Sequence, residues 1–252
     1  MSPQLLGVDV GGSSIKLARV AVERGEVVGE LVTLPTPTPS TPANVLGAVM
    51  SHPLATECEG PLGLAFPAVV KAGRARTAAN VDDSWLGVEA RALLAARWGR
   101  TGTFLNDADA AGLAEMRFGA GCGAGGVVFV LTLGTGIGSA LFVDGHLAPN
   151  TELGHLAVAG LADTEAEAWA SARVRTQLGL DWSAWVARLD RVLAELQRLF
   201  WPDVFILGGG VSEYFAHWGH LLQVPVEVRR AALGPAAGAI GAAIAAHERY
   251  NP

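Results

Sequence analysis

The chain has 252 residues, half of them hydrophobic, and carries 18 basic against 24 acidic side chains for a net charge of −6. This length and composition predict a folded globular protein with a substantial core and exclude a disordered chain. The acidic balance argues against a general nucleic-acid-binding surface, although backbone donors and a few arginines can still bind a small anion.

We expect a cytoplasmic protein that binds neither nucleic acid nor membranes. The N-terminal residues become glycine-rich too early for a signal peptide, and no apolar run approaches the length of a membrane span. Cys58 and Cys122 lie far apart without the spacing of a metal site, so we expect reduced thiols.

The first part of the chain alternates strand-like runs with turns. The runs QLLGVDV, IKLARVAV and VVGELVTL predict three adjacent antiparallel strands. Alternating prolines make residues 35–42 an extended loop, and Ser40 or Thr41 can cap a helix that begins near Ala43. A buried strand LGLAF, a helix VEARALLAARW and a short strand GTFLN follow.

The second part repeats this order, as a duplicated unit would. The run VVFVLTLGTGIGSALFV predicts a strand, a glycine-rich turn and a second strand. A long amphipathic helix with Ser183 as its cap, a buried strand VFILG and a last helix of small residues follow. We predict an α/β protein of two lobes, residues 1–105 with 237–252 and residues 106–236, with a ligand cleft between them.

A tight turn between two predicted strands provides the first chemical signal. Its backbone N–H groups and hydroxyls can approach a phosphate, and its aspartate can hold Mg²⁺ through water. An ordinary hairpin turn with a solvated carboxylate fits the same residues. The candidate phosphate ligands are Asp9, Gly11, Gly12, Ser13, Ser14 and Lys16, with Asp9 also the candidate Mg²⁺ ligand.

The second signal is the sequence LGTGIGS at residues 133–139, which is neither a P-loop nor a dinucleotide fingerprint. Alternating glycines between apolar strands indicate that something approaches the backbone closely, although a bulged hairpin is the alternative. The candidate phosphate ligands here are Gly134, Thr135 and Gly136, with Ser139 at the end of the segment. One such hairpin in each half favours phosphate binding over two ordinary turns.

Polar side chains cluster at the start of the helix that follows GTFLN. Asn106, Asp107 and Asp109 come directly after the strand. Asn106 or Asp109 can serve as the helix cap, but a cap needs only one of them. A second carboxylate can accept the proton of a substrate hydroxyl during phosphoryl transfer.

The fourth signal is the pair Glu152 and His155, which can converge on one ligand across a bend at Gly154. A lone histidine is more often a structural residue. The pair can also begin a metal site, but the sequence shows no third or fourth ligand.

Together these segments resemble the ROK family of sugar kinases (repressor, open reading frame, kinase), which belongs to the actin-like ATPase superfamily, and within it the polyphosphate glucokinases. The resemblance runs through nearly the whole chain, and it is most specific in NDADAAGLAE and PNTELGHL. The other matching segments are DVGGSSIK, PTPTPSTP, RTAANVDDSW, LTLGTGIGSALF, WPDVFILGGGVS and AAGAIGAAI, and RTAANVDDSW is close to the polyphosphate subgroup.

This resemblance implies a two-lobed actin-like (ribonuclease H-like) fold and an enzyme that phosphorylates the 6-hydroxyl of glucose. The implied donor is polyphosphate or ATP, with Mg²⁺. The implied site assigns Asp107 as catalytic base, Asn80, Asn106, Glu152 and His155 as sugar ligands, and Gly208, Gly209 and Gly210 as the nucleoside or donor loop. Lys16, Lys71, Arg74 and Arg76 are candidates to bind a longer polyphosphate.

The sequence departs from the family pattern at two places. The cysteine motif that holds zinc in many ROK proteins has no counterpart after His155, so we expect no zinc. The sugar-binding glutamate of that region has Glu165 and Glu167 as candidates. The usual Pro-Gly after the strand LGLAF is Pro67-Ala68 here.

Two other functions stay open on the sequence alone. One is an ATP-dependent kinase for mannose, fructose or an amino sugar, and the other is a catalytically silent sugar-binding protein. Asp107 and both phosphate segments count against the silent protein. Because the first predicted strand begins near residue 4, we expect no DNA-binding domain of the kind the family's repressors carry. Family analogy favours a homodimer.

Overall fold

The computed structural model describes residues 3–78, 80–161 and 164–250. The chain divides into two compact units, the first running to Phe118 and resuming at Ala236, the second spanning Gly119–Pro235. The sequence predicts a boundary between residues 105 and 106. In the structure the helix Asp107–Phe118 packs on the C-terminal helix Ala237–Tyr250 and belongs to the first unit.

Both units contain strands and helices. In chain order the strands are β1 (Gln4–Val10), β2 (Ser14–Ala21), β3 (Glu26–Val27), β4 (Val32–Pro35), β5 (Leu62–Phe66), β6 (Val70–Lys71), β7 (Arg74–Ala75), β8 (Gly102–Asn106), β9 (Val127–Leu133), β10 (Ile137–Val143), β11 (His146–Ala148), β12 (Val204–Gly208) and β13 (Glu227–Arg230). The helices are α1 (Pro42–Ser51), α2 (Pro53–Glu57), α3 (Ala90–Trp98), α4 (Asp107–Phe118), α5 (Ala166–Ala170), α6 (Ala172–Gln177), α7 (Trp182–Phe200), α8 (Phe215–Trp218) and α9 (Ala237–Tyr250).

The main sheet of the first unit has the strand order β3-β2-β1-β5-β8, with β4 also paired to β2. β1 and β2 form the predicted antiparallel hairpin, while β1, β5 and β8 run parallel. The predicted third strand is divided into β3 and β4, and Gly29, with a φ of +86°, lies between them. Thr41 caps α1 by accepting a hydrogen bond from the Asn44 amide at 3.3 Å, which confirms one of the two predicted caps.

Small residues bring the C-terminal helix close to the first sheet. A Cβ on Gly7 of β1 or Gly63 of β5 would overlap a backbone carbonyl of α9, and a Cβ on Gly241 of α9 would overlap the Ala110 carbonyl of α4. Because β5 is buried at every position, it behaves as a central parallel strand covered on both faces. The glycines therefore let α9 hold both the sheet and α4 in fixed positions.

The second unit repeats the plan of a hairpin followed by parallel strands. Its sheet has the order β11-β10-β9-β12-β13, with β9 and β10 antiparallel and β9, β12 and β13 parallel. The amphipathic helix α7 buries Trp185, Leu189 and Leu193 against this sheet's core. Its predicted cap, Ser183, is wrong, because Asp181 accepts from the Ala184 amide at 2.8 Å and the helix begins two residues earlier than a cap at Ser183 would place it.

No helix in the described part of the chain combines the length and apolarity needed to cross a bilayer.

Candidate active site

The turn between β1 and β2 places the first set of predicted phosphate ligands. The Gly11 amide donates to the Ser14 carbonyl at 2.9 Å and closes the turn. Thr36 braces it, since its hydroxyl donates to the Gly11 carbonyl at 2.7 Å and its amide donates to the Ser13 carbonyl at 3.1 Å. Gly12 and Ser13 are exposed at the tip. The turn is thus a braced loop with its tip open to solvent.

Asn80, a predicted sugar ligand, lies beside this turn. A Cβ on Gly12 would stand 3.0 Å from the Asn80 carbonyl oxygen and 3.4 Å from the Asn80 Cβ. The missing side chain at Gly12 therefore lets the segment that carries Asn80 pack against the turn. Within the first unit, the structure brings one predicted sugar ligand next to the predicted phosphate ligands.

Asp9 and Lys16 form an ion pair at the base of the same turn. Lys16 Nζ lies 3.1 Å from Asp9 Oδ2, and the two side chains are 28% and 15% exposed respectively. Gly238 of α9 lies against the Asp9 carboxyl, where a Cβ would stand 2.7 Å from Cγ. A single hard carboxylate beside an open turn fits Mg²⁺, which keeps several water or phosphate ligands and takes few from protein.

Asn106 is the helix cap of α4, as one of the sequence alternatives predicts. The side chain is 6% exposed, its Nδ2 donates to the Ala68 carbonyl at 3.2 Å, and its Oδ1 accepts from the Asp109 amide at 3.0 Å. Ala68 stands where the resemblance implies a glycine, and its carbonyl still accepts this hydrogen bond. Asn106 is therefore held rigidly from two sides.

The two carboxylates of this helix start differ in exposure. Asp109 is only 2% exposed, whereas Asp107 is half-buried and accepts a hydrogen bond from the Ala108 amide at 2.8 Å. A general base must come within hydrogen-bonding distance of the substrate proton. Asp107 is the carboxylate of the two that a substrate can reach.

The predicted phosphate loop of the second unit lies beside the glycine triplet at residues 208–210. The Gly134 amide donates to the Gly136 carbonyl at 3.0 Å, and Thr135 is exposed at the tip. Gly209, with a φ of +81°, packs so tightly on Leu133 that a Cβ would overlap the Leu133 backbone. Two segments that the sequence assigns to donor binding are therefore neighbours.

A cavity of about 430 Å³ opens next to the same triplet. Gly210, Tyr214, Trp182 and Arg175 line it, and the Arg175 guanidinium carbon stacks 3.5 Å from the centre of the Trp182 ring. Flat aromatic and guanidinium surfaces of this kind suit a planar ring as ligand. The sequence analysis did not single out Arg175, Trp182 or Tyr214.

Ser139 has a structural task that the sequence did not reveal. It is 2% exposed, its hydroxyl bonds the Thr151 carbonyl, and the Leu153 amide donates to that hydroxyl at 3.1 Å. The Thr151 hydroxyl donates in turn to the Ser139 carbonyl at 2.9 Å. Ser139 therefore anchors the segment that carries Glu152 to strand β10.

Glu152 and His155 converge as predicted. Leu153–His155 form a 3₁₀ turn, and its Gly154 is buried so closely on Ile137 that a Cβ would overlap the Ile137 carbonyl. His155 Nε2 lies 3.9 Å from Glu152 Oε2, with side-chain exposures of 48% and 41%. Both polar groups are thus accessible to a ligand.

Glu165 and Glu167, the two candidates for the missing glutamate, both join this cluster. His155 Nδ1 lies 2.9 Å from Glu165 Oε2, and the Ile137 amide donates to Glu167 Oε2 at 3.3 Å. Ligand atoms of His155, Glu165 and Glu167 all lie within 4.8 Å of one another. The sequence shows no further metal ligand beside Glu152 and His155, whereas the fold brings the carboxylates of Glu165 and Glu167 to His155.

The cluster shifts the protonation of its members. The hydrogen bond to Glu165 raises the pKa of His155 above its usual value, partial burial opposes this, and the carboxylates of Glu165, Glu167 and Glu152 add to it. Partial burial raises the pKa of Glu152, His155 opposes the rise, and Glu167 adds to it. The cluster is thus an acidic pocket that favours a protonated imidazole.

Relatives of known function match most of the chain. It is 45% identical over 240 residues to the polyphosphate glucokinase of Mycobacterium tuberculosis (strain CDC 1551 / Oshkosh). The aligned region covers 95% of this chain and 89% of the relative. It is 31% identical to the glucokinase of Streptomyces coelicolor over 166 residues, 60% of this chain and 49% of that protein.

Solved structures share the fold. The inorganic polyphosphate/ATP-glucomannokinase from Arthrobacter sp. strain KM is 42% identical with a TM-score of 0.89, covering 98% of this chain and 99% of that one. A ROK family glucokinase from Streptomyces griseus, in complex with glucose and AMPPNP, is 25% identical with a TM-score of 0.80, covering 97% and 99%. These likenesses confirm the predicted α/β, actin-like fold class.

The ROK family model matches residues 5–170. Together with the relative that is 45% identical across 95% of the chain, this match identifies the family. The chain belongs to the ROK family.

Proposed function

We propose that the protein is a glucokinase that transfers a phosphoryl group from inorganic polyphosphate or ATP to the 6-hydroxyl of glucose. The observation that carries the proposal is the partly exposed carboxylate of Asp107 at the start of α4, in the unit whose braced turn exposes Gly12 and Ser13. The identity of 45% to a polyphosphate glucokinase supports the choice of acceptor and donor.

Asp107 would act as the general base. Its carboxylate accepts the proton of the sugar hydroxyl as that oxygen attacks the terminal phosphorus, and the bond from phosphorus to the donor's bridging oxygen breaks. The Asn106 cap holds the first turn of α4 in place, so the direction of the carboxylate is set before the substrate arrives. Asp109 is buried, and we assign it a structural role.

The sugar ligands in this proposal are Asn80, Asn106, Glu152 and His155. A carboxylate such as Glu152 accepts hydrogen bonds from sugar hydroxyls, and an imidazole donates or accepts according to its protonation. Glu165 and Glu167 lie on the same cluster, and each remains a candidate for the additional acidic contact.

We assign the donor phosphates to the two glycine turns, at residues 11–14 and 134–136. Backbone amides other than those of Gly11 and Gly134, which close the turns, would donate to them. Amides pointed at the transferring group stabilise the charge that develops on its oxygens. Mg²⁺ held at Asp9, when bound, neutralises part of the donor's negative charge. We propose no zinc site.

Polyphosphate is the proposed preferred donor. Lys71, Arg74 and Arg76 are all exposed. Lys71 and Arg74 face each other in register on the β6–β7 hairpin, and Arg76 directly follows β7. Arg74 also donates to the Gly87 carbonyl at 3.0 Å, which orients its guanidinium. This local basic group is suited to a chain of phosphates longer than that of ATP. The cavity beside Gly210 supports ATP as the second donor.

One assay tests the proposal by crossing glucose, mannose, fructose and an amino sugar with ATP and with polyphosphate of defined length, at matched Mg²⁺. We expect glucose to be the best acceptor and both donors to be used. Turnover of another sugar with ATP alone would favour the ATP-dependent hexose kinase. Sugar binding without any turnover would favour the silent sugar-binding protein. A cytoplasmic location and a homodimeric assembly are also proposals, and light scattering measures the second.

A further inference from the structure

We propose that Glu165 is a positioning residue that sets which nitrogen of His155 faces the sugar. The kinetic part of this inference rests on the proposed glucokinase function, whereas the structural part concerns the sugar-free protein. The contact that carries it is the distance of 2.9 Å between His155 Nδ1 and Glu165 Oε2.

The chemistry of the two groups determines where the ring proton lies. An ionised carboxylate only accepts hydrogen bonds, so Nδ1 of the imidazole must donate. Nδ1 therefore keeps its proton in both the neutral and the charged ring, and Nε2 is the nitrogen that gains or loses one. Nε2 lies toward Glu152, 3.9 Å from its Oε2. Neutral His155 thus presents an acceptor, and charged His155 a donor, beside the carboxylate proposed to bind the sugar.

The backbone at Glu165 is held in place because it pairs with the segment that follows His155. Ala157 and Glu165 form an antiparallel bridge, and the Ala166 amide donates to the Leu156 carbonyl at 2.8 Å. Ala166 is fully buried at the start of α5. Glu165 therefore extends from a secured backbone position next to the histidine ring.

Glu167 does not take this role, because its Oε2 accepts from the Ile137 amide and lies against Gly136 and Gly154. The pair of His155 and Glu165 is also about half exposed, with side chains 48% and 49% accessible. An exposed ion pair contributes little to folding stability. The consequence of the contact is the choice of ring tautomer rather than the stability of the fold.

Nitrogen-15 NMR of the histidine rings tests the structural part directly. His155→Ala assigns the ring signals of this residue in the sugar-free wild type. We expect the neutral wild-type ring to show the Nδ1–H tautomer, and Glu165→Ala to convert it toward the Nε2–H tautomer that free imidazole rings prefer. Glu165→Gln keeps an acceptor oxygen and should retain the wild-type tautomer. An Nε2–H ring in the wild type, or identical spectra in all three proteins, would overturn the inference.

Steady-state kinetics with glucose and polyphosphate test the functional part. We expect Glu165→Ala to raise the KM for glucose by about three- to tenfold, the loss expected for one misdirected hydrogen bond, while the donor KM stays unchanged. Glu165→Gln should remain within about twofold of wild type by the same reasoning. Glu227→Ala, which removes an exposed carboxylate paired to Arg229 in the same unit, is the matched control and should behave as wild type.

Failure of the proposed glucokinase function and failure of the positioning role of Glu165 would give different results. If the wild type does not phosphorylate glucose, the proposed function fails, and the NMR result still decides the role of Glu165. If the wild type is active but Glu165→Ala keeps the glucose KM, or Glu165→Gln loses as much as the alanine variant, the positioning role is wrong. A circular dichroism spectrum and melting temperature close to those of wild type confirm that each variant is folded.

Discussion

The Asp109 amide donates to Asn106 Oδ1 over 3.0 Å, and this single bond determines how the first turn of α4 is presented. Asn106 is the cap and Asp109 is buried, so Asp107 is the residue of this turn whose carboxylate stays partly exposed. A local capping bond therefore separates a structural carboxylate from one that can take part in a reaction.

The first prediction concerns that carboxylate. Asp107→Asn should retain glucose binding but lose turnover by a factor on the order of 10² to 10⁴, because an amide cannot accept the proton. Calorimetry for glucose and initial rates with saturating donor measure the two quantities. A kcat close to the wild-type value would show that another residue is the base.

The second prediction separates the acceptor from the donor. Glu152→Gln and His155→Ala should each raise the KM for glucose more than the KM for the donor, since both side chains are assigned to sugar hydroxyls. An unpaired polar partner costs roughly 1–3 kcal/mol, which corresponds to a rise of about five- to 150-fold. If the donor KM rises while the glucose KM stays flat, the sugar assignment of the pair fails.

The third prediction concerns the polyanion. The KM for polyphosphate should rise steeply with ionic strength while the KM for glucose barely moves. At 0.1 M salt the attraction between exposed charges is largely screened beyond about 10 Å, and this screening weakens the binding of a polyanion. Lys71→Ala and Arg76→Ala should reduce that salt dependence. Arg24→Ala, which removes an exposed arginine paired to Glu26 in the same unit, serves as the control. A salt-independent polyphosphate KM would exclude a basic track.

The fourth prediction is that the purified protein holds far less than one zinc per chain. The cysteine motif of the family's zinc site is missing, and His155 Nδ1 is instead bonded to Glu165. Elemental analysis of protein prepared without added metal gives the ratio. Stoichiometric zinc that resists a chelator would contradict the prediction and would point to His155 with Glu165 and Glu167, whose donor atoms converge.

The fifth prediction is a pH dependence of stability. The raised pKa of His155 means that the folded protein binds the ring proton more tightly than the unfolded chain does. The resulting stability is fully present below the ordinary pKa of about 6.5 and is lost as the pH rises through the raised value. Glu165→Ala should therefore lower the melting temperature at pH 5.5 more than at pH 9. The effect should be small, below about 1 kcal/mol, because the pair is solvated.

Thermal melts at the two pH values and an NMR titration of His155 check this last prediction together. The hydrogen bond to Glu165 is the largest cause of the raised pKa of His155, so this pKa should fall in the variant. Equal losses at both pH values, with an unchanged His155 titration, would show that Glu165 has no part in the shift.

Features whose causes lie in neighbouring residues could be predicted from the sequence. Glycines between apolar runs predict the turns at residues 11–14 and 134–136, because a tight reversal between strands needs residues without side-chain hindrance. A polar residue before an apolar helix predicts the caps, as Thr41 and Asn106 show. The choice of Ser183 over Asp181 failed because both residue types cap equally well and their positions differ by only two residues.

Which polar groups contact one another, and which stay accessible, depends on the folded chain as a whole and could not be predicted from the sequence. Glu165 contacts His155 because the chain returns beside Ala157 in a bridge too short to leave a periodic pattern in the sequence. Ser139 is an anchor because the segment after Asn150 folds back onto β10. Such contacts join residues distant along the chain, and their burial depends on every element packed around them. No pattern of neighbouring residues contains that information.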